Sequence, residues 1–326
     1  MKNMKILLFV AVAALALCCF SACNDPDMPE VTEEYCTVSF NTNGGGAVES
    51  VKVKSGSLLS QPTSPEKEGY VFNGWSYEGK EWLFSTQTVN TDITLSARWL
   101  SAESLFDYEI VDGEVVIKGY KGGLSSLSIS IPSIIRGLPV TGIADEAFKN
   151  TDSTVIGRII LGENIVSVGK SAFKDSSELV ILIEGKLQSI GESAFYGCAK
   201  LESIELGEGL VSVPYQAFYG CSALKSVVLP KSAELIDENA FEGCGELKTV
   251  IMHETLTKIN DGAFSECPSL AAVYYYGTAE AWESVDMTAG NEKLRGAKLY
   301  IYSEGAPTDD TAEYWHFDKN GKVRVW

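Results

Sequence analysis

The chain has 326 residues, of which 45% are hydrophobic and 21% charged, a composition typical of folded domains rather than disordered chains. Its formal net charge is −18, and because the first 22 residues carry two lysines and no acid, the remainder carries −20. Binding to nucleic acid or to anionic lipid needs basic residues, so both classes are disfavoured. The two histidines, His253 and His316, are too few for most hydrolase and metal-site schemes.

The chain opens with a short basic segment followed by an apolar run. Lys2 and Lys5 precede residues 6–20, which contain no charged side chain. An apolar run of this length is too short for a comfortable membrane span and is typical of a secretory signal. We therefore predict a signal peptide over residues 1–22.

Small residues, Ser21 and Ala22, precede Cys23, and this ending resembles the lipobox of bacterial lipoproteins, with Phe20 in place of the usual Leu. The resemblance implies lipid attachment at Cys23. Residues 23–35 are acidic, contain two prolines and predict an extended tether. They resemble the segments that follow the lipid cysteine in surface-exported lipoproteins of some Gram-negative bacteria, which implies a surface-exposed outer membrane lipoprotein. An ordinary cleaved signal with an incidental cysteine is the alternative.

Residues 36–100 show short alternating runs punctuated by Gly and Pro, a pattern that predicts strands. Trp75, Phe84 and Trp99 supply large side chains for a small core. The characteristic residues are Val38, Phe40, Gly44, Gly45, Gly56, Pro62, Pro65, Gly69, Tyr70, Phe72, Gly74, Trp75, Phe84, Ala97, Arg98 and Trp99. Their order resembles the internalin-type B repeat, a β-grasp-like module of bacterial surface proteins. The resemblance implies a spacer or adhesion module without catalytic residues.

The dipeptide Ala-Phe recurs six times over residues 142–276, with spacings between phenylalanines of 25, 22, 23, 23 and 23. The phenylalanines are Phe148, Phe173, Phe195, Phe218, Phe241 and Phe264. In the four later repeats a Leu-x-x-Ile-x-Leu-like block follows each pair. A period of about 23 with this block predicts a leucine-rich solenoid, in which stacking buries the apolar face that a single repeat leaves open. The Phe148 repeat has a two-residue insertion, and the Phe173 repeat is one residue short.

The stretch from Ile190 to Cys198 reads Ile-Gly-Glu-Ser-Ala-Phe-Tyr-Gly-Cys. It resembles the consensus sequence of the repeat in BspA-like leucine-rich repeat proteins. Residues 105–141 and 277–302 resemble the N- and C-terminal caps of this family, as solenoid ends require. Residues 303–326 predict a linker and a β-hairpin turning at Asn320-Gly321. The predicted fold is thus mainly β, a BspA-like solenoid preceded by a small β-grasp-like domain.

The repeat cysteines occupy one structural position, three residues after each phenylalanine, where the first two repeats have Thr151 and Ser176. They are Cys198, Cys221, Cys244 and Cys267. Side chains in one column point the same way, which is poor disulfide geometry. We therefore predict free, buried thiols that fill a small slot, with Cys36 buried in the β module.

No nucleophile-elbow, zinc-protease or phosphate-loop motif is present. His253 is expected to be solvated, and the carboxylates are expected to be solvated turn residues. We therefore expect no metal, no cofactor and no enzymatic activity, with an unrecognised carboxylate site as the remaining enzymatic alternative.

The outward side chains of the strands are the predicted binding surface. We select Arg158, Ile160, Glu205, Val228, Ile251, His253, Tyr274 and Tyr276. Exposed apolar and tyrosine-rich strips are typical of partner sites. Two structural alternatives remain: these side chains form stabilising ladders, or the C-terminal hairpin covers them.

The predicted function is non-catalytic adhesion to a host or bacterial protein at the cell surface. Adhesion is implied by the family resemblance alone. The alternative is glycan binding beside a polysaccharide-uptake system, with Tyr274, Tyr276 or Trp282 as stacking residues. Membrane contact is expected through the lipid anchor only, and no nucleic-acid partner is expected.

Overall fold

The computed structural model describes residues 34–122, 128–152, 156–306 and 312–326. The predicted signal peptide, Cys23 and the tether up to residue 33 therefore lie outside the described residues. Within the described part, no helix is long and apolar enough to cross a membrane.

The β module is a five-stranded mixed sheet in the order β2-β1-β7-β4-β5, with a separate β3-β6 pair. Its strands are β1 (Tyr35–Asn41), β2 (Val51–Lys54), β3 (Ser57–Leu58), β4 (Tyr70–Tyr77), β5 (Lys80–Glu81), β6 (Thr88–Val89) and β7 (Ile93–Ser101). Val38, Trp75 and Leu95 lie in its core. Gly45 is required because a Cβ there would lie 2.5 Å from the Trp99 ring.

The β module joins the solenoid without an intervening loop. Strand β7 runs into α1 (Ala102–Leu105), whose Ala102 and Leu105 belong to the solenoid core together with Val71 of β4. The amide of Gly69 donates to the carbonyl of Ile134 at 3.2 Å. Packing therefore continues across the boundary predicted at residue 100.

The solenoid has two rows of short strands, which confirms the predicted mainly β repeat fold. The strand face comprises β10 (Ser128–Ser130), β13 (Arg158–Leu161), β15 (Val180–Ile183), β18 (Ser226–Val228), β20 (Thr249–Met252), β22 (Ala272–Tyr275) and β24 (Lys298–Tyr302). The second row comprises β8 (Phe106–Val111), β9 (Glu114–Tyr120), β12 (Leu138–Ile143), β14 (Ser167–Val168), β16 (Ser189–Ile190), β17 (Ser212–Val213), β19 (Leu235–Ile236), β21 (Lys258–Ile259) and β23 (Asp286–Met287). Neighbouring strands pair in parallel, except for the antiparallel β8-β9 pair in the cap.

The remaining elements lie at the two ends of the solenoid. They are β11 (Ile134–Ile135), α2 (Ala279–Glu283), α3 (Glu292–Arg295), β25 (Tyr314–Phe317) and β26 (Val323–Val325). Strand β25 extends the strand face by pairing in parallel with β24, and it forms an antiparallel hairpin with β26.

The Ala-Phe turns form a third ladder along the solenoid. Successive phenylalanine rings stack with centroids 5.2–5.5 Å apart. The amides of the first five phenylalanines each donate to the Ala carbonyl of the next repeat, as from Phe195 to Ala217 at 2.9 Å. Residues two before and two after each Phe have positive φ angles of 51–73°. The later position is Gly197, Gly220 or Gly243 in three repeats, because glycine adopts this conformation without strain.

Both strand rows are interrupted near the Phe195 repeat, whereas the Phe ladder continues through it. On the strand face, the preceding repeat is one residue short, and residues 201–205 form no strand between β15 and β18. In the second row, the residue after Val213 is Pro214, which has no amide hydrogen. At the same position of other repeats the amide donates to the preceding turn, as from Asp237 to Val213 at 2.9 Å.

The cysteine position does more than fill a small space in the core. Each buried thiol donates a hydrogen bond to the carbonyl of the Phe in the preceding repeat. The Sγ-to-oxygen distances are 3.1–3.3 Å for Cys198, Cys221, Cys244 and Cys267. Ser176 makes the same contact with Phe148 at 2.7 Å. All five described cysteines are free and buried, as predicted.

Asn291 ends the Phe ladder by replacing the missing next repeat. Its Oδ1 accepts from the Phe264 amide at 3.0 Å, where other repeats use an Ala carbonyl. Its Nδ2 donates to the carbonyl of Asn260 at 2.9 Å. The side chain is fully buried, so these hydrogen bonds are shielded from water.

We expect Asn291→Ala to destabilise the last repeat by about 1–3 kcal/mol, because it leaves the buried Phe264 amide without an acceptor. Urea unfolding and amide exchange at Phe264 measure this loss. Asn320→Ala, at an exposed turn, is the control, and equal stability of the two variants would contradict the capping role.

We expect Cys221→Ala to lower stability by about 1 kcal/mol more than Cys221→Ser, because serine keeps a donor for the Phe195 carbonyl. Urea unfolding of both variants tests this order. A serine variant less stable than the alanine variant would show that the slot needs only an apolar side chain.

Candidate functional site

The predicted binding residues occupy the strand face, but their exposure differs. Arg158, Glu205 and Val228 are exposed, whereas Ile160, His253, Tyr274 and Tyr276 are half-buried and Ile251 is buried. The surface is therefore open at its N-terminal and middle repeats and closes towards its C-terminal end.

The expected exposure of Ile251 is wrong, since only 8% of its surface is accessible. Ile251 lies in register between Val228 on β18 and Tyr274 on β22. Side chains in one column of a parallel sheet shield one another, so outward alternation alone does not ensure exposure.

The aromatic end of the strand face is covered by the chain's own hairpin. Trp315 is fully buried, with its ring centroid 5.4 Å from that of Tyr274 and 4.9 Å from that of Tyr276. Its Nε1 donates to the carbonyl of Tyr275 at 3.4 Å. Of the alternatives that the sequence left open, the structure has the one in which the C-terminal hairpin covers this end of the strand face, because Trp315 packs against both Tyr274 and Tyr276.

The aromatic rings also stack on one another along the sheet. The centroids of His253 and Tyr276 are 4.1 Å apart with nearly parallel planes, and those of Tyr274 and Tyr300 are 5.1 Å apart. Trp282 packs edge-on against Tyr275 at 5.3 Å. A sugar stacks on an open ring face, and Tyr274 and Tyr276 already stack on aromatic partners, so the geometry disfavours these two of the three predicted glycan-stacking residues.

His253 is half-buried rather than solvated. Burial and the nearby Lys231 ammonium lower its pKa below the ordinary value, while Glu208 and Glu254 oppose the shift. Its imidazole is therefore neutral at pH 7 and acts as a flat packing surface for Tyr276.

The open part of the strand face centres on the interruption described above. We define the break surface as Leu182, Glu184, Ser203, Glu205 and Val228, all exposed. Leu182 and Val228 are 42% and 48% exposed, although both lie on strands. Leu182 is not among the residues predicted from the sequence, because the missing residue obscures the strand alternation. The spacing of 22 residues between Phe173 and Phe195, one fewer than in the later repeats, was the feature of the sequence that marked this irregularity.

The described residues hold no group of three or more metal-ligating side chains. Burial raises the pKa of the Cys198 and Cys267 thiols to about 12, and those of Cys221 and Cys244 well above their usual value. These thiols stay protonated at pH 7 and are poor nucleophiles.

Stability should be full below about pH 8.5 and fall as the pH rises towards 11, because unfolded thiols ionise near 8.5 while folded thiols keep their protons. Urea unfolding midpoints at pH 8 and pH 10 measure this fall. A variant with serine at all four repeat cysteines is the control, and its stability should lose most of the pH dependence. Some dependence remains, because tyrosines and lysines titrate in both proteins. An unchanged pH dependence in that variant would contradict the assignment.

Two families match the sequence. Residues 126–183 and 141–271 match the family described as BspA type leucine rich repeat region, in six copies. Residues 36–98 match the Listeria-Bacteroides repeat domain.

The chain is similar to segments of larger bacterial proteins. A putative membrane protein of Evansella cellulosilytica is 34% identical over 133 residues, which are 38% of this chain and 20% of that protein. Internalin H of Listeria monocytogenes is 38% identical over 92 residues, 26% of this chain and 16% of that protein. The chain therefore spans a fifth or less of the length of these relatives.

Solved structures of several leucine-rich repeat proteins match part of the chain. The T. pallidum leucine rich repeat protein is 29% identical with a TM-score of 0.48, covering 53% of this chain and 80% of that chain. A leucine rich cell surface protein from Faecalibacterium prausnitzii is 21% identical with a TM-score of 0.49, covering 68% of this chain and 59% of that chain.

Proposed function

Because residues 126–271 belong to the BspA-type leucine-rich repeat family and residues 36–98 to the Listeria-Bacteroides repeat family, we propose that this protein binds other proteins at the cell surface through its strand face. The proposal covers adhesion to host or bacterial proteins, without catalysis.

The exposure of Leu182 and Val228 carries this proposal. Elsewhere on the same face, outward apolar side chains such as Ile251 and Tyr274 are shielded by neighbouring strands or by Trp315. Apolar side chains left open among charged ones form the mixed surface that protein interfaces use. Aromatic rings that already stack on one another offer less support for glycan capture.

Attachment through Cys23 belongs to the same proposal, since a surface-binding protein needs an anchor. Mass spectrometry of the protein extracted from membranes tests this directly, because acylation would add the mass of the lipid to a peptide beginning at Cys23. A Cys23→Ala variant released from the membrane fraction would support the anchor.

The binding test uses residues 24–326 against immobilised extracellular-matrix and mucosal proteins, with a glycan panel in parallel. We expect saturable protein binding whose affinity falls at least about tenfold in the double variant Leu182→Arg/Val228→Arg. In the complex, two arginine cations would be buried in the interface in place of apolar contacts. Surface plasmon resonance measures the affinity.

Val211→Arg is the matched control, because Val211 is 53% exposed and does not belong to the strand face. Circular dichroism confirms that each variant is folded. Glycan binding alone, or protein binding equally strong in the double variant, would contradict the proposed surface.

A further inference from the structure

The strand pairing is incomplete at the break surface. Among the described strands, β15 pairs only with β13 and β18 pairs only with β20. Residues 201–206 lie between these strands and are joined to both sides: the Leu187 amide donates to the Glu205 carbonyl at 3.1 Å, and the Lys225 amide donates to the Glu202 carbonyl at 3.3 Å. The chain itself therefore occupies the space between the strands, and a partner is recognised by the side chains that remain exposed.

The apolar side chains of the break surface lie in one row. Leu182 and Val228 are two repeats apart, which is about 10 Å at the usual strand spacing. In the intact sheet the same row is shielded, as shown by Ile251 at 8% exposure. An extended segment laid over the break surface could bury both side chains together.

The charge of the break surface is negative and uncompensated. Glu184 and Glu205 are exposed and form no ion pair among the described residues. Two nearby acids differ: Glu178 lies 3.9 Å from Lys200, and Glu202 lies 2.6 Å from Lys225. With a net charge of −18 on the whole chain, long-range attraction also favours a positively charged partner.

We propose that the break surface binds an extended segment of a partner protein in which basic and apolar residues alternate. The apolar residues contact Leu182 and Val228, and the basic residues pair with Glu184 and Glu205. This inference rests on the proposed protein-binding function and specifies the chemistry of the partner.

The test uses the chain from residue 24 to 326 and a fluorescent eight-residue peptide that alternates lysine and valine. A peptide with glutamate in place of lysine and one with threonine in place of valine are the controls. Fluorescence anisotropy at 50 and 200 mM salt measures the affinity, and we expect the lysine–valine peptide to bind several-fold more weakly at the higher salt.

The variant Glu184→Gln/Glu205→Gln should bind this peptide about tenfold more weakly, since each exposed charge pair contributes roughly threefold. The matched control is Glu163→Gln/Glu238→Gln, which removes two exposed acids outside the break surface and should bind as the unmodified chain does. Thermal unfolding confirms that both variants are folded.

Three results would overturn this inference: no binding of the lysine–valine peptide, equal binding of the glutamate or threonine peptide, or equal weakening in both glutamine variants. If the peptide fails while panel proteins bind through Leu182 and Val228, the proposed function stands and only the partner chemistry is wrong. If neither peptide nor protein binds, both proposals fail.

Discussion

The solenoid depends on the hydrogen bond from each repeat Phe amide to the Ala carbonyl of the next repeat. This bond runs through all six Ala-Phe turns and ends at the side chain of Asn291, whose Oδ1 replaces the missing carbonyl. It is reinforced by stacked rings and by thiols that donate to the Phe carbonyls. Because this ladder is buried and continuous, the two strand rows can be interrupted without separating the solenoid into two parts.

The ladder also explains which residues the repeat can vary. Positive φ angles two residues before and after each Phe admit glycine readily, and asparagine, aspartate, serine, glutamate or glutamine at some cost. The position three residues after the Phe accepts cysteine, serine or threonine, since all three are small side chains that can donate a hydrogen bond. The strand rows are less constrained: a missing residue before Phe195 and a proline at position 214 are both accommodated there.

The sequence predicted the repeat period, the Ala-Phe column, the free thiols and the β module, because each depends on local patterns that recur. It did not predict which outward residues are exposed, because exposure depends on neighbours that are distant in sequence. Ile251 is shielded by the strands on either side, and Trp315 covers Tyr274 from 41 residues further along the chain. The short spacing before Phe195 was visible, but its consequence for strand pairing required the structure.

An uninterrupted parallel ladder satisfies its own backbone groups and shields its outward side chains, so it offers a ligand little that it does not already contact. Recognition needs groups left without partners, and these arise where the repeat departs from its period. In this chain, two exposed apolar side chains and two glutamates that form no ion pair among the described residues lie together where one repeat is a residue short. The Phe ladder continues unbroken through that repeat. An irregular repeat inside a regular solenoid is therefore the first place to look for its binding specificity.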